Sequence, residues 1–193
     1  MTERLPHLEE YLRKHIDGRR LFHSHGTANE AAALARHYGV DEGKAYTAGL
    51  LHDVAKGGCK NGFQKMAARY QIEVDGVELN NPELLHGKIG AAMVNVELNI
   101  YDEDILSAIR WHTTGRAGMS MLDKIVYIAD LIEPSREFEC IDNIRLLAYQ
   151  DINEAMLFAL DHVMQFIKDK GFTLHPNSLE AYEDILKRRN CKI

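Results

Sequence analysis

The sequence predicts an all-α protein, and three features carry that expectation. Apolar residues recur every three to four positions along most of the chain, helix-capping residues punctuate the apolar runs, and strand-like alternation over more than four residues is hard to find. Leu5, Leu8, Leu12 and Ile16 put one apolar face on a first helix, which Asp17-Gly18 closes. A second helix is expected over 20–38, with Ala28, Ala31, Ala32, Ala35 and Tyr38 near one face and Gly39 suited to a left-handed cap. The third covers 41–55 and stops at Gly57-Gly58, and a short fourth covers 61–70. After a polar loop at 74–80, Asn81-Pro82 supplies a cap and a first-turn proline for a fifth. Segments 102–112, 120–132, 152–170 and 177–189 complete the set.

Composition narrows what such a bundle does. A chain of 193 residues buries roughly 70% of the surface its unfolded form exposes, so apolar packing suffices without a disulfide or metal staple. The 23 Lys and Arg against 29 Asp and Glu leave a formal charge of -6. That field repels a nucleic acid backbone, so no nucleic acid polymer is expected as partner, and a phosphorylated small substrate needs local cations. Cys59, Cys140 and Cys191 are odd in number and form no C-x-x-C pair. Free thiols in a reducing cytoplasm are expected, with no thiolate metal cage. The longest apolar run is Ala155 to Leu160 and no charged segment precedes an apolar one at the start, so neither export nor a membrane span is expected. Without a linker or repeat, 1–193 reads as one domain.

The ten histidines carry little singly, and His7, His15, His37 and His162 read as helix-surface residues. Context singles out others. His52-Asp53 interrupts the apolar run Ala48-Gly-Leu-Leu-His-Asp-Val-Ala-Lys, and burying an imidazole and a carboxylate without partners is costly. The same anomaly marks Arg20-Leu-Phe-His-Ser, Leu84-Leu-His-Gly, Ile109-Arg-Trp-His112-Thr-Thr-Gly and Ile125-Val-Tyr-Ile-Ala-Asp130. Packed together, these segments offer imidazoles and carboxylates without thiolate, a donor set suited to iron, manganese or zinc more than to magnesium alone. Lys56, three residues after Asp53, can reach an anion bound there or simply sit exposed at a helix end. Arg20 and Arg136 can fork onto phosphate oxygens or form surface ion pairs. Thr113 and Gly115 begin a turn whose backbone N–H groups suit an anion.

The ordered series His23, His52-Asp53, Lys56, His86, His112 and Asp130 resembles the HD-domain metal-dependent phosphohydrolase superfamily. More closely, His112-Thr-Thr-Gly-Arg116, Met121-Leu-Asp-Lys-Ile-Val-Tyr-Ile-Ala-Asp130 and Ile132-Glu-Pro-Ser-Arg136 are similar to the YqeK-type bacterial symmetrical diadenosine tetraphosphate hydrolases. The similarity covers about 20–177. It implies an all-α single HD-domain helical bundle, with a metal-ligand core at about 20–136 and C-terminal helices at 141–190 that complete the fold. It implies that His23, His52, Asp53 and Asp130 bind a divalent transition metal, iron by expectation with manganese or zinc as alternatives, as one or two ions. His25 is the alternative to His23. His86 and His112 either bind a second ion, which Asp53 would bridge, or contact phosphate and the attacking water; His86 can also serve as a helix cap before Gly87. Catalysis would fall to Asp53, His86 and His112, and substrate contacts to Arg20, Lys56, His86, His112, Thr113 and Arg136. Thr173, Leu174 and His175 would line a nucleoside pocket, although Asn177 and Ser178 explain that loop as a helix cap. The implied activity is symmetrical hydrolysis of diadenosine tetraphosphate to two ADP, on a dinucleoside polyphosphate or ADP-like nucleotide, by a homodimer. The alternatives are a phosphohydrolase for another nucleotide and a non-catalytic metal- and nucleotide-binding regulatory module.

Overall fold

The computed structural model describes residues 5–57 and 62–190. Among the described residues every regular element is helical. The order is α1 (Leu5–His15), α2 (Gly18–Tyr38), α3 (Glu42–Leu51), a 3-10 turn (Val54–Lys56), α4 (Phe63–Arg69), α5 (Gly76–Asn80), a second 3-10 turn (Pro82–Leu85), α6 (His86–Leu98), α7 (Glu103–Trp111), α8 (Met121–Ile132), α9 (Ile141–Gln150), α10 (Ile152–Asp169) and α11 (Pro176–Asn190). No helix among them is long and apolar enough to cross a membrane.

Helix α8 sits at the centre. It packs on α2, α3, α7, α9 and α10. Its Ile125, Val126, Ile128, Ala129 and Ile132 are buried accordingly, each large aliphatic contributing about 1.5–3 kcal/mol of burial. Small residues set two helix pairs close together. Ala28, Ala31, Ala45 and Ala48 are fully buried where α2 meets α3, and a Cβ on Gly49 would stand 2.9 Å from Ala28 Cα. A Cβ on Gly87 would lie 2.7 Å from the Arg110 carbonyl, so α6 and α7 touch backbone to backbone at their site ends. These approaches bring histidines on separate helices within contact of one another.

Caps end the helices largely as local chemistry dictates. Asp17, Asp41, Asp102 and Asp151 accept from backbone N–H groups at the starts of α2, α3, α7 and α10. Ser120 and Asp123 form a reciprocal capping box on α8. Gly39 closes α2 at φ 69° as expected.

Three features depart from the sequence expectation. The helix predicted over 41–55 stops at Leu51; the chain turns at His52-Asp53, with Asp53 at φ -101° and ψ 11°, and resumes as the 3-10 turn. A continuous α-helix would hold successive side chains about 100° apart, whereas the break turns both polar groups toward one point. The polar segment 74–80 contains α5 rather than loop alone, because Asp75 and Glu78 cap each other's backbone reciprocally. No cap marks α9 as a separate helix: Cys140 at its start has φ 68° and makes no side-chain cap bond. The expected helix start at Asn61, the Gly58 stop and the thiols of Cys59 and Cys191 lie outside the described residues. Cys140 is a free, exposed thiol.

Candidate metal centre

Five helix ends or turns converge on one cluster. His23 projects from α2, His52 and Asp53 from the turn after α3, His86 from the first residue of α6, His112 from the end of α7, and Asp130 from the last turn of α8. His23 Nε2 lies 2.9 Å from Asp130 Oδ1 and 3.2 Å from His52 Nε2. His52 Nε2 is 3.6 Å from both Asp130 and Asp53 Oδ1. His86 and His112 Nε2 each lie 3.5 Å from Asp53 Oδ1 and 2.9 Å from each other. Two groups here can hold a metal ion, one of His23, His52 and Asp130 and one of His52, Asp53 and His112. The side chains are all buried or nearly so.

The outer nitrogens decide how the inner ones are protonated. His52 Nδ1 lies 2.7 Å from the Gly49 carbonyl, His112 Nδ1 2.7 Å from the Ile109 carbonyl, and His86 Nδ1 contacts the Glu83 carbonyl. A carbonyl only accepts, so each Nδ1 donates and each Nε2 presents a lone pair inward. His23 Nδ1 donates to Glu133 at 3.0 Å. The Nε2 lone pairs of His86 and His112 thus meet at 2.9 Å, and the buried Asp53 Oδ1 makes no hydrogen bond among the described residues, only an ion-pair contact with Lys56 Nζ at 2.9 Å. Two overlapping groups of three could each hold an ion that would take up such lone pairs, so the residues fit a bound metal.

Electrostatics agree. Burial opposes ionisation of Asp53 most strongly, yet His52, His112, Lys56 and His86 together hold it well below the usual carboxylate range. Asp130 is likewise disfavoured by burial but held well below that range by His52, His23 and Arg136. Burial pushes His86 well down, aided by Lys56 and His112, and burial also lowers His112. At His52 burial is overcome by Asp53 and Asp130, which raise it. That carboxylate field favours positive charge at its Nε2, whether proton or metal.

The cationic residues flank this cluster. Lys56 Nζ makes an ion-pair contact with Asp53 Oδ1 at 2.9 Å, and Arg20 stands 3.7 Å from Asp53 Oδ2. Arg136 is clamped to Asp130 by its Nε on the backbone carbonyl and a 2.7 Å contact to Oδ1. The Thr113 hydroxyl lies 2.9 Å from His86 Nε2 and 3.2 Å from His112 Nε2, so its side chain, beyond its backbone, belongs to the cluster. His25 points elsewhere, to Glu9 at 3.1 Å. Thr173 and His175 line a cavity of about 450 Å³ that begins at Thr113. Leu174 lines a separate cavity with Met164 and Lys168. His175 also holds Asp75 at 2.8 Å, tying the C-terminal loop to α5.

A model of the HD domain family matches residues 20–135. The chain belongs to the HD domain family. Among its HD-domain relatives, the symmetrical bis(5'-nucleosyl)-tetraphosphatase of Bacillus subtilis (strain 168) is 38% identical over 171 residues, 89% of this chain and 91% of the relative. The protein of the same name from Halalkalibacterium halodurans is 37% identical over 177 residues, 92% and 94% of the two chains. A crystal structure from Clostridium acetobutylicum, described as a "predicted HD superfamily hydrolase involved in NAD metabolism", superposes with a TM-score of 0.92 at 39% identity, covering 95% of this chain and 97% of that one.

Two features of this HD-domain site escape sequence reasoning. Glu133, buried behind His23, is marked only as a carboxylate following an apolar helix; its Oε1 accepts from His23 Nδ1 and from the Ser135 hydroxyl. His162, which reads as a surface residue, stacks on Phe138 with ring centroids 5.2 Å apart and lines the same cavity as Thr173. The Glu133 contact sets the His23 tautomer, as outer carboxylates do for metal-binding imidazoles. Glu133→Gln is expected to weaken manganese affinity about 10- to 100-fold, measured by calorimetric titration of the metal-free protein. Unchanged affinity would remove Glu133 from the site.

Proposed function

We propose that the chain hydrolyses diadenosine tetraphosphate symmetrically to two ADP, in the cytoplasm, with a divalent transition metal held by His23, His52, Asp53 and Asp130. The observation that carries the metal is the convergence of the Nε2 atoms of His52, His86 and His112 on the buried Asp53 Oδ1, which makes no hydrogen bond among the described residues and only an ion-pair contact with Lys56. The substrate follows from the names of the relatives, which the chain matches over most of its length, and from a cavity of suitable size at the cluster. Imidazole and carboxylate donors without thiolate suit iron, manganese or zinc, and iron is the choice that the family resemblance implies. Asp53, His86 and His112 would hold a second ion, which would add charge neutralisation at the phosphate. The free Cys140 thiol suits a reducing compartment.

A bound divalent ion would acidify a water and neutralise phosphate charge. Around it, Asp53 orients the attacking water, and Lys56 and Arg20 beside Asp53 offset charge that builds on the phosphate oxygens. The water oxygen forms a bond to one central phosphorus as the bond from that phosphorus to the central bridging oxygen breaks. One ADP carries the water's oxygen and the other departs with the bridging oxygen. The water's proton leaves toward the Thr113 end of the cluster, where the Nε2 atoms of His86 and His112 accept hydrogen bonds.

Metal-loaded protein incubated with diadenosine tetraphosphate should yield ADP as sole nucleotide product, by ion-exchange chromatography. ATP plus AMP would overturn central cleavage, and binding without turnover would favour the regulatory module.

A further inference from the structure

Central cleavage of a two-fold symmetric dinucleotide places an ADP half on each side of the reacting phosphorus. The cluster opens in two directions. Its Thr113 end faces the 450 Å³ cavity, whose apolar walls include Phe138, Phe166 and Phe172. Its His23 and Asp53 end forms part of a second concavity of about 560 Å³, bordered by Arg19, Arg20, Phe22, Lys56 and Glu137. The two share Arg136 alone. The first is built for a nucleoside, with aromatic walls and few charges. The second brings three arginines and a lysine together beside the carboxylates Asp53, Glu133 and Glu137 in an otherwise acidic protein, together with Phe22, which is 68% exposed. Arg19 and Phe22 are three apart on α2, as are Arg20 and His23, so an arginine and a ring share one face beside the metal ligand. Cations for phosphate and a ring for stacking are what a nucleotide half requires.

We propose that this concavity is the second nucleotide subsite, in which Arg19 and Arg20 bind the phosphates of the departing ADP half and Phe22 stacks on its base. The subsite rests on the reading above, that the substrate is a dinucleoside tetraphosphate cut at its centre beside His23 and Asp53. It makes Phe22 a specificity residue: it touches a base that diadenosine tetraphosphate has and adenosine 5'-tetraphosphate lacks, although both contain the same central anhydride.

The test compares these two substrates on metal-loaded wild-type protein and on Phe22→Ala and Arg19→Gln variants. The readout is the ratio of kcat/KM for the dinucleotide to that for the mononucleotide, so losses common to both substrates cancel. Phe22→Ala is expected to lower the ratio about tenfold, the scale of one base-aromatic stack, mainly through KM. Arg19→Gln should lower both substrates, and the dinucleotide at least as much. An unchanged ratio in an active Phe22→Ala protein overturns the subsite while leaving the proposed function standing. Failure of the wild type to release ADP from diadenosine tetraphosphate overturns the function and the subsite together.

Discussion

Asp53→Asn is expected to lower kcat for diadenosine tetraphosphate hydrolysis by about a thousandfold or more. Asp53 is central to the cluster: its carboxylate lies within 3.6 Å of His52, His86 and His112, and 2.9 Å from Lys56. Asparagine preserves shape but removes the charge that, under the proposed function, would offset the metal and orient the water. Loss of one preorganised electrostatic group costs about 10²- to 10³-fold in kcat, and under the proposed function the same group would also hold the metal. Because removing one partner of a buried charge pair destabilises a fold, circular dichroism at 25 °C and nucleotide binding must accompany the rate measurement. A folded variant retaining a tenth of the wild-type rate would sink the assignment.

Metal removal should have an effect of similar size on turnover and a second effect on stability. Dialysis against a chelator is expected to abolish hydrolysis, and manganese or iron(II) to restore it, with magnesium ineffective on imidazole donors. The stability effect follows from the facing lone pairs of His86 and His112, which a bound metal would relieve. A ligand at 1,000 times its Kd stabilises the folded state by about 4 kcal/mol, which for a chain of this size raises Tm by about 10 °C. Scanning calorimetry of the protein with and without manganese reads this directly. Equal midpoints would show that the cluster does not bind the ion, whatever the activity.

Much of this was legible in the sequence because local physics is written there. The helices around Leu8 and Leu12, the alanine face of α2 and the cap at Gly39 depend on spacing and on residues a few positions apart. The site was legible for a related reason. His52-Asp53 and Asp130 are polar groups inside apolar runs, and burial of such groups demands partners. Resemblance then supplied an order to the scattered histidines. The choice of His23 over His25 came from that order, and the structure places His23 in the cluster and His25 on Glu9.

What stayed hidden depends on atoms far apart in the chain. The break after Leu51 follows from turning two neighbouring side chains toward one point, a demand that arises only when α6, α7 and α8 arrive there. Glu133 gains its role from standing behind His23, 110 residues away, and the cavity joins Phe138, His162 and Thr173 from segments with no common motif. Leu174 lies between two residues of that cavity yet lines another. Periodicity and the cost of burying polar groups are properties of short stretches, so they can be read from the order of residues. Interhelical distance is not, because it is set where Gly49 and Gly87 let backbones touch, and that contact is what turns separate histidines into one site.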